Sequence, residues 1–131
     1  MTSTKYTVTV RPYAERHFIK NFRKKHKSAW EITWRAICEE LKRFDSLLET
    51  SIVETITENG NIRIAKTEFR VAKTNESRKS SGNRCIVAIH KDTSLISVLL
   101  VYHKNDLGNG NETAQWKRVI KDNYPEYRGL L

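Results

Sequence analysis

Two nearly continuous apolar runs, Arg84 to His90 and Ser94 to His103, flank a short polar turn at Lys91, Asp92 and Thr93. Runs this short and this apolar, with no solvent-facing alternation, read as central strands rather than as strands with one wet face. They therefore predict the middle of a sheet around which the rest of the chain is arranged. Upstream lies a third strand-like segment ending near Arg70 and Lys73, and a polar loop carrying Arg78 and Lys79 connects it to the pair. If the three strands pair as neighbours, their charged ends and the loop converge on one edge as a phosphate-sized basic pocket.

The remaining segments can be placed around that sheet. Tyr6 to Arg11 alternates apolar and polar residues and predicts a first strand. Pro12 suits a first helical turn, and Ala14, Phe18 and Phe22 follow at four-residue spacing, with Arg16, Lys20, Arg23, Lys24 and Lys25 making a basic outer face. Ser28 and Glu31 have the spacing of a capping box and predict the start of a second helix. Its stripe runs Trp30, Trp34, Ile37, Leu41, Phe44 and Leu48, and at this period the tryptophans read as core residues rather than as a base-stacking platform.

Ser51 to Thr57 and Asn61 to Ala65 flank Glu58, Asn59 and Gly60, a hairpin signal, with a bulge near Lys66 expected to absorb a slip in apolar phase. A Gly and Asn loop at Gly108 to Asn111 precedes a final short helix, Glu112 to Lys121, which Pro125 stops. The expectation is one α+β domain over residues 1–131. In it an N-terminal strand and a two-helix hairpin pack on a twisted, mainly antiparallel sheet of four to five strands, with a short C-terminal helix.

Charge narrows the partners. The 24 Lys and Arg against 15 Asp and Glu give a net charge of +9, which points to a polyanion. Met1 to Lys5 is short and polar and the longest apolar run, Val98 to Val101, cannot cross a bilayer, so a cytoplasmic protein with no membrane partner is expected. Cys38 and Cys85 sit among apolar neighbours and read as buried thiols. His17, His26, His90 and His103 show no metal-ligand spacing, and there is no phosphate-binding glycine loop or dinucleotide fingerprint, so neither metal nor cofactor is expected.

The element order, together with FRVA, the basic loop ending in SSGNR, the IVAI strand and LLVYHKND ahead of a terminal helix, resembles the RelE/ParE toxin superfamily, most of all its HigB-like branch. Ser81, Gly82, Asn83 and Arg84 match that branch's pattern after the loop, and Tyr102, His103, Lys104, Asn105 and Asp106 match the end of its last strand. The resemblance implies a RelE-like fold and the toxin of a toxin–antitoxin pair. Such a toxin is an endoribonuclease that cuts messenger RNA on the ribosome and is neutralised by a cognate antitoxin.

It also implies a site. Arg84 would hold the scissile phosphate, Lys104 would clamp it or protonate the leaving group, His103 would serve as acid or base, and Lys73 is a further possible base. Arg70, Arg78, Lys79 and Tyr102 would hold RNA. His103 and Lys104 are adjacent on a strand and so cannot both face one pocket unless the strand bends. Two other readings stay open: a gyrase-directed relative without nuclease activity, and a basic RNA-binding module without catalysis.

Overall fold

The computed structural model describes residues 5–108 and 110–131. The polar N-terminal stretch up to residue 4, and Asn109 of the Gly and Asn loop, lie outside the described residues.

Strand β1 (Thr7–Val10) leads into helix α1 (residues 12–26), followed by α2 (Ser28–Lys42) and a single turn, α3 (Phe44–Leu47). Strands β2 (Val53–Asn59) and β3 (Ile62–Phe69) form a hairpin; the short helix α4 (Arg78–Ser81) then precedes β4 (Asn83–His90) and β5 (Leu95–His103). A 3-10 turn (Lys104–Leu107), helix α5 (Glu112–Asn123) and a last 3-10 stretch (Pro125–Leu130) end the chain. The sheet order is β1-β5-β4-β3-β2, with β1 parallel to β5 and the other pairs antiparallel. This is the α+β architecture expected from the sequence, with five strands.

Both faces of the sheet are covered, which explains why β4 and β5 are apolar through most of their length. On one face Val87, Ile89, Val98 and Val101 meet Ile19, Phe22, Trp30, Ile37 and Leu41 of the helical hairpin. On the other, Ile86, Ala88, Leu100 and Tyr102 meet Trp116 and Ile120 of α5, with Tyr124 and Tyr127 behind them. Side chains of the central strands alternate between the two layers except at a bulge, where Leu99 and Leu100 both face α5, and most of their positions are buried. Cys85 is buried and Cys38 half-buried, both as free thiols.

Local expectations are corrected in four places. Helix α1 begins at Pro12 but passes through a π turn, Glu15–Ile19, in which the Lys20 N–H donates to the Glu15 carbonyl. One extra residue per turn shifts the apolar phase, so Ile19 takes the core position and Phe18 turns to the side. Helix α2 starts at Ser28 as expected, but without the capping box: Lys27, at φ 52°, precedes it, and Glu31 pairs with Arg23 at 3.3 Å. The β2–β3 turn is Gly60 and Asn61, because Asn59 pairs with Ile62. The register slip falls on β2 between Thr55 and Thr57, leaving β3 unbroken through Lys66.

Candidate functional site

The end of β5 is fixed by a reciprocal cap. His103 donates its backbone N–H to Asp106 Oδ2 at 3.1 Å, and its Nδ1 accepts the Asn105 N–H at 3.1 Å. With Nδ1 accepting, the neutral imidazole carries its proton on Nε2. That edge of the ring lies against Gly82, where a Cβ would come within 2.7 Å of His103 Nε2. Gly82 closes α4 at φ 80°, a conformation that favours glycine, and its carbonyl accepts the Lys104 N–H at 2.8 Å. The neighbouring Ser81 hydroxyl is buried, donating to the Phe69 carbonyl at 2.7 Å and accepting the Asn83 N–H at 3.1 Å. The SSGN segment is thus a joint that seats β3, β4 and β5 together beneath His103.

Above this joint lies a two-lobed cleft between α1 and the ends of β4 and β5. The larger lobe, about 530 Å³, is lined by His17, Phe18, Asn21 and Phe22 of α1 and by Asn105 and Asp106. The smaller, about 240 Å³, is lined by Val71, Thr74, Glu76 and Ser81. Lys25, His26, Asn83 and His103 line both lobes. Burial, reinforced by the Lys25 charge and opposed by Glu76, lowers the His26 pKa from its ordinary value and favours the neutral imidazole.

Register decides where the other sequence-derived residues stand. Asn83 pairs with His103, and Arg84 with Tyr102. The first pair shares its face with Phe69 and the helical hairpin; the second faces α5. Tyr102 is fully buried and donates its hydroxyl to Glu112 Oε2 at 2.8 Å, and Arg84 Nε lies 3.7 Å from the same oxygen. Burial and Glu112 together push the Tyr102 hydroxyl pKa well up. Arg84 and His103 therefore lie on opposite faces of the sheet.

Arg78 reaches α2, pairing with both oxygens of Glu40 at 2.8 and 2.9 Å. Arg70 is exposed, with Nη1 3.4 Å from the Thr74 carbonyl, and Lys73, at φ 68°, is exposed in the following turn. Lys79 is exposed on α4, and Lys104 is exposed at the start of the 3-10 turn. Of the eight residues singled out from the sequence, the structure brings His103 to the cleft wall and does not gather Lys73, Arg84 and Lys104 around one point.

Helix α1 supplies what the sequence reading left out: His17, Asn21, Lys25 and His26. Lys25 reads from the sequence as part of a basic outer face, and His17 and His26 only as lacking metal-ligand spacing. Among the described residues, no three His, Cys, Asp or Glu side chains are grouped to hold a metal ion, and no helix is long and apolar enough to cross a membrane.

Fold and cleft define an α+β protein with a histidine- and lysine-walled groove at one end of its sheet. No protein-family model matches the sequence, and no curated protein matches it. Among solved structures it aligns with the crystal structure of an archaeal RelE–RelB complex from Pyrococcus horikoshii OT3, at 13% identity and a TM-score of 0.48, covering 76% of this chain and 94% of that one.

Proposed function

We propose that this chain is the single-domain toxin of a toxin–antitoxin pair, an endoribonuclease that cuts messenger RNA on the ribosome without metal. The observation that carries the reading is the cleft wall of His103, His26 and Lys25 in a chain of net charge +9. Cleavage through the 2′-hydroxyl needs a proton acceptor, donors for the charge on the phosphate, and a proton for the leaving oxygen. The ordered motifs resembling the HigB-like branch support the same reading.

In it, His103 meets the phosphate from the cleft wall, its ring held in place by the Asn105 N–H at Nδ1. Lys104, Lys73, Arg70 and Lys79, all exposed, steer the RNA backbone. Arg78, Arg84 and Tyr102 act from below by fixing the loop and the strand ends through Glu40 and Glu112. A cognate antitoxin silences the protein in a cytoplasm where it otherwise stops translation.

Primer extension on messenger RNA after brief induction tests this. Discrete cuts are expected with the native chain, unaffected by chelators when the purified protein is used, and absent with His103→Ala. Retention of RNA with no cyclic-phosphate ends would replace the nuclease with a binding module. Growth arrest without RNA cuts, indifferent to His103→Ala, would favour a gyrase-directed protein.

A further inference from the structure

We propose that His26 and Lys25, at the end of helix α1, are catalytic residues of this cleft, His26 taking the proton of the attacking 2′-hydroxyl and Lys25 serving the phosphate and the leaving oxygen. The inference rests on the nuclease reading above and extends it to a helix that the motif resemblance does not reach.

Three observations carry it. The first is position: the residues common to both lobes are Lys25, His26, Asn83 and His103, so a chain threaded through the cleft places a phosphate at their wall and a nucleoside in each lobe. The larger lobe, at about 530 Å³, has room for a base beside Phe18 and Phe22.

The second is orientation. The His26 ring stacks on Phe22 with centroids 6.1 Å apart, Phe22 on the fully buried Trp30 at 4.9 Å, and Trp30 on Trp34 at 5.6 Å. A column of rings rooted in the core thus ends in an imidazole at the cleft, and a side chain fixed in this way is pre-organised for reaction.

The third is protonation. His26 is favoured neutral, the form a base needs, and the groups around it are Lys25 and His17 on its own helix, Glu76 from the loop after β3, and His103 with Asp106 beyond β5.

The step balances without any further reactant. The 2′-oxygen gives its proton to His26 and forms a bond to phosphorus, the bond from phosphorus to the 5′-oxygen breaks, and that oxygen takes a proton from the Lys25 ammonium. The products are a 2′,3′-cyclic phosphate and a 5′-hydroxyl, and the two side chains recover their protonation through solvent. The His103 ring stabilises the charge on the non-bridging oxygens throughout.

The test uses the whole chain and a ribosome-bound message under single-turnover conditions, with rate followed against pH. His26→Gln is expected to slow cleavage by about 100-fold or more and to remove the fall in rate on the acid side. Its affinity for a message carrying a 2′-deoxy residue at the cut should be unchanged. Lys25→Ala should weaken that affinity and slow the reaction, and Lys25→Arg should restore affinity but not rate. Melting curves confirm that each variant is folded.

A native chain that cuts no RNA would overturn the nuclease reading itself. Cleavage that needs His103 but keeps its rate and acid limb in a folded His26→Gln would overturn this inference alone.

Discussion

Arg78 grips Glu40 with both terminal nitrogens, Nη1 to Oε2 at 2.9 Å and Nη2 to Oε1 at 2.8 Å, and so ties the loop after β3 to the last turn of α2. A planar fork on a carboxylate is a geometry that lysine cannot reproduce. Because Arg78 remains 38% exposed and Glu40 30%, the pair acts largely through solvent, and its contribution is modest. Arg78→Lys is expected to lower stability by about 0.5–1 kcal/mol in urea melts. Its larger effect should be faster hydrogen exchange in residues 70–77, which form one side of the smaller lobe.

Gly82→Ala should be far more damaging than its size suggests. The added methyl meets His103 Nε2 at 2.7 Å in a backbone already at φ 80°. Strain and clash together are expected to cost about 1–3 kcal/mol. The histidine must also leave its cap, so the His103 ring resonances should shift in NMR spectra and cleavage should fall even where the variant stays folded.

Arg84 and Glu112 offer a test that separates scaffold from chemistry. Arg84 is mostly buried under α5, sharing one Glu112 oxygen with Tyr102. Removing the carboxylate by Glu112→Ala leaves the Tyr102 phenol without its acceptor and the Arg84 guanidinium without its ion-pair partner, at about 2–4 kcal/mol. Arg84→Ala should lower the melting temperature strongly. If instead it abolishes cleavage while stability is unchanged, Arg84 reaches the phosphate, and the α5 contact is not its role.

The acid side of the stability curve should carry the mark of His26. Its pKa is held below the ordinary 6.5 first by burial and then by Lys25, with Glu76 acting the other way. The unfolded chain therefore binds this proton more readily than the fold does, and stability is lost as pH falls through 6.5 towards the folded value. His26→Gln should flatten that segment of a plot of melting temperature against pH.

At the alkaline end Tyr6 plays the corresponding part. Burial, then its hydrogen bond to Asp45 at 2.8 Å, pushes the phenol from 10.0 up to about 12. The fold keeps a proton that the unfolded chain gives up, so this contribution is present below 10.0 and lost as pH rises towards 12. Tyr6→Phe should reduce the alkaline slope and cost about 1 kcal/mol at neutral pH.

The central strands, the helical hairpin and the terminal helix were legible because each is written in local periodicity. Which cations meet was not, since that depends on cross-strand register. Arg84 pairs with Tyr102 instead of His103, and one residue of offset sends a side chain to the other face of the sheet. The extra residue Leu99 on β5 and the slip at Thr55/Thr57 on β2 add offsets that no motif announces. On α1, the π turn breaks the period from which Phe18 was placed inward, and the same turn carries His17 while His26 lies further along the helix. His103 was found because it belongs to a motif, whereas His26 is recognisable only after α1 has been laid against β5.

The pairing of β1 with β5 governs when the molecule can exist at all. Thr7 to Val10 lie alongside Leu95 to Val98, so the first strand made must wait for the last. A growing chain cannot add β1 to this sheet until β5 has been made, and closing so wide a loop carries an entropic cost that slows folding. Translation can thus pair β2, β3 and β4 early, but the edge formed by β1 stays open until β5 lies beside it.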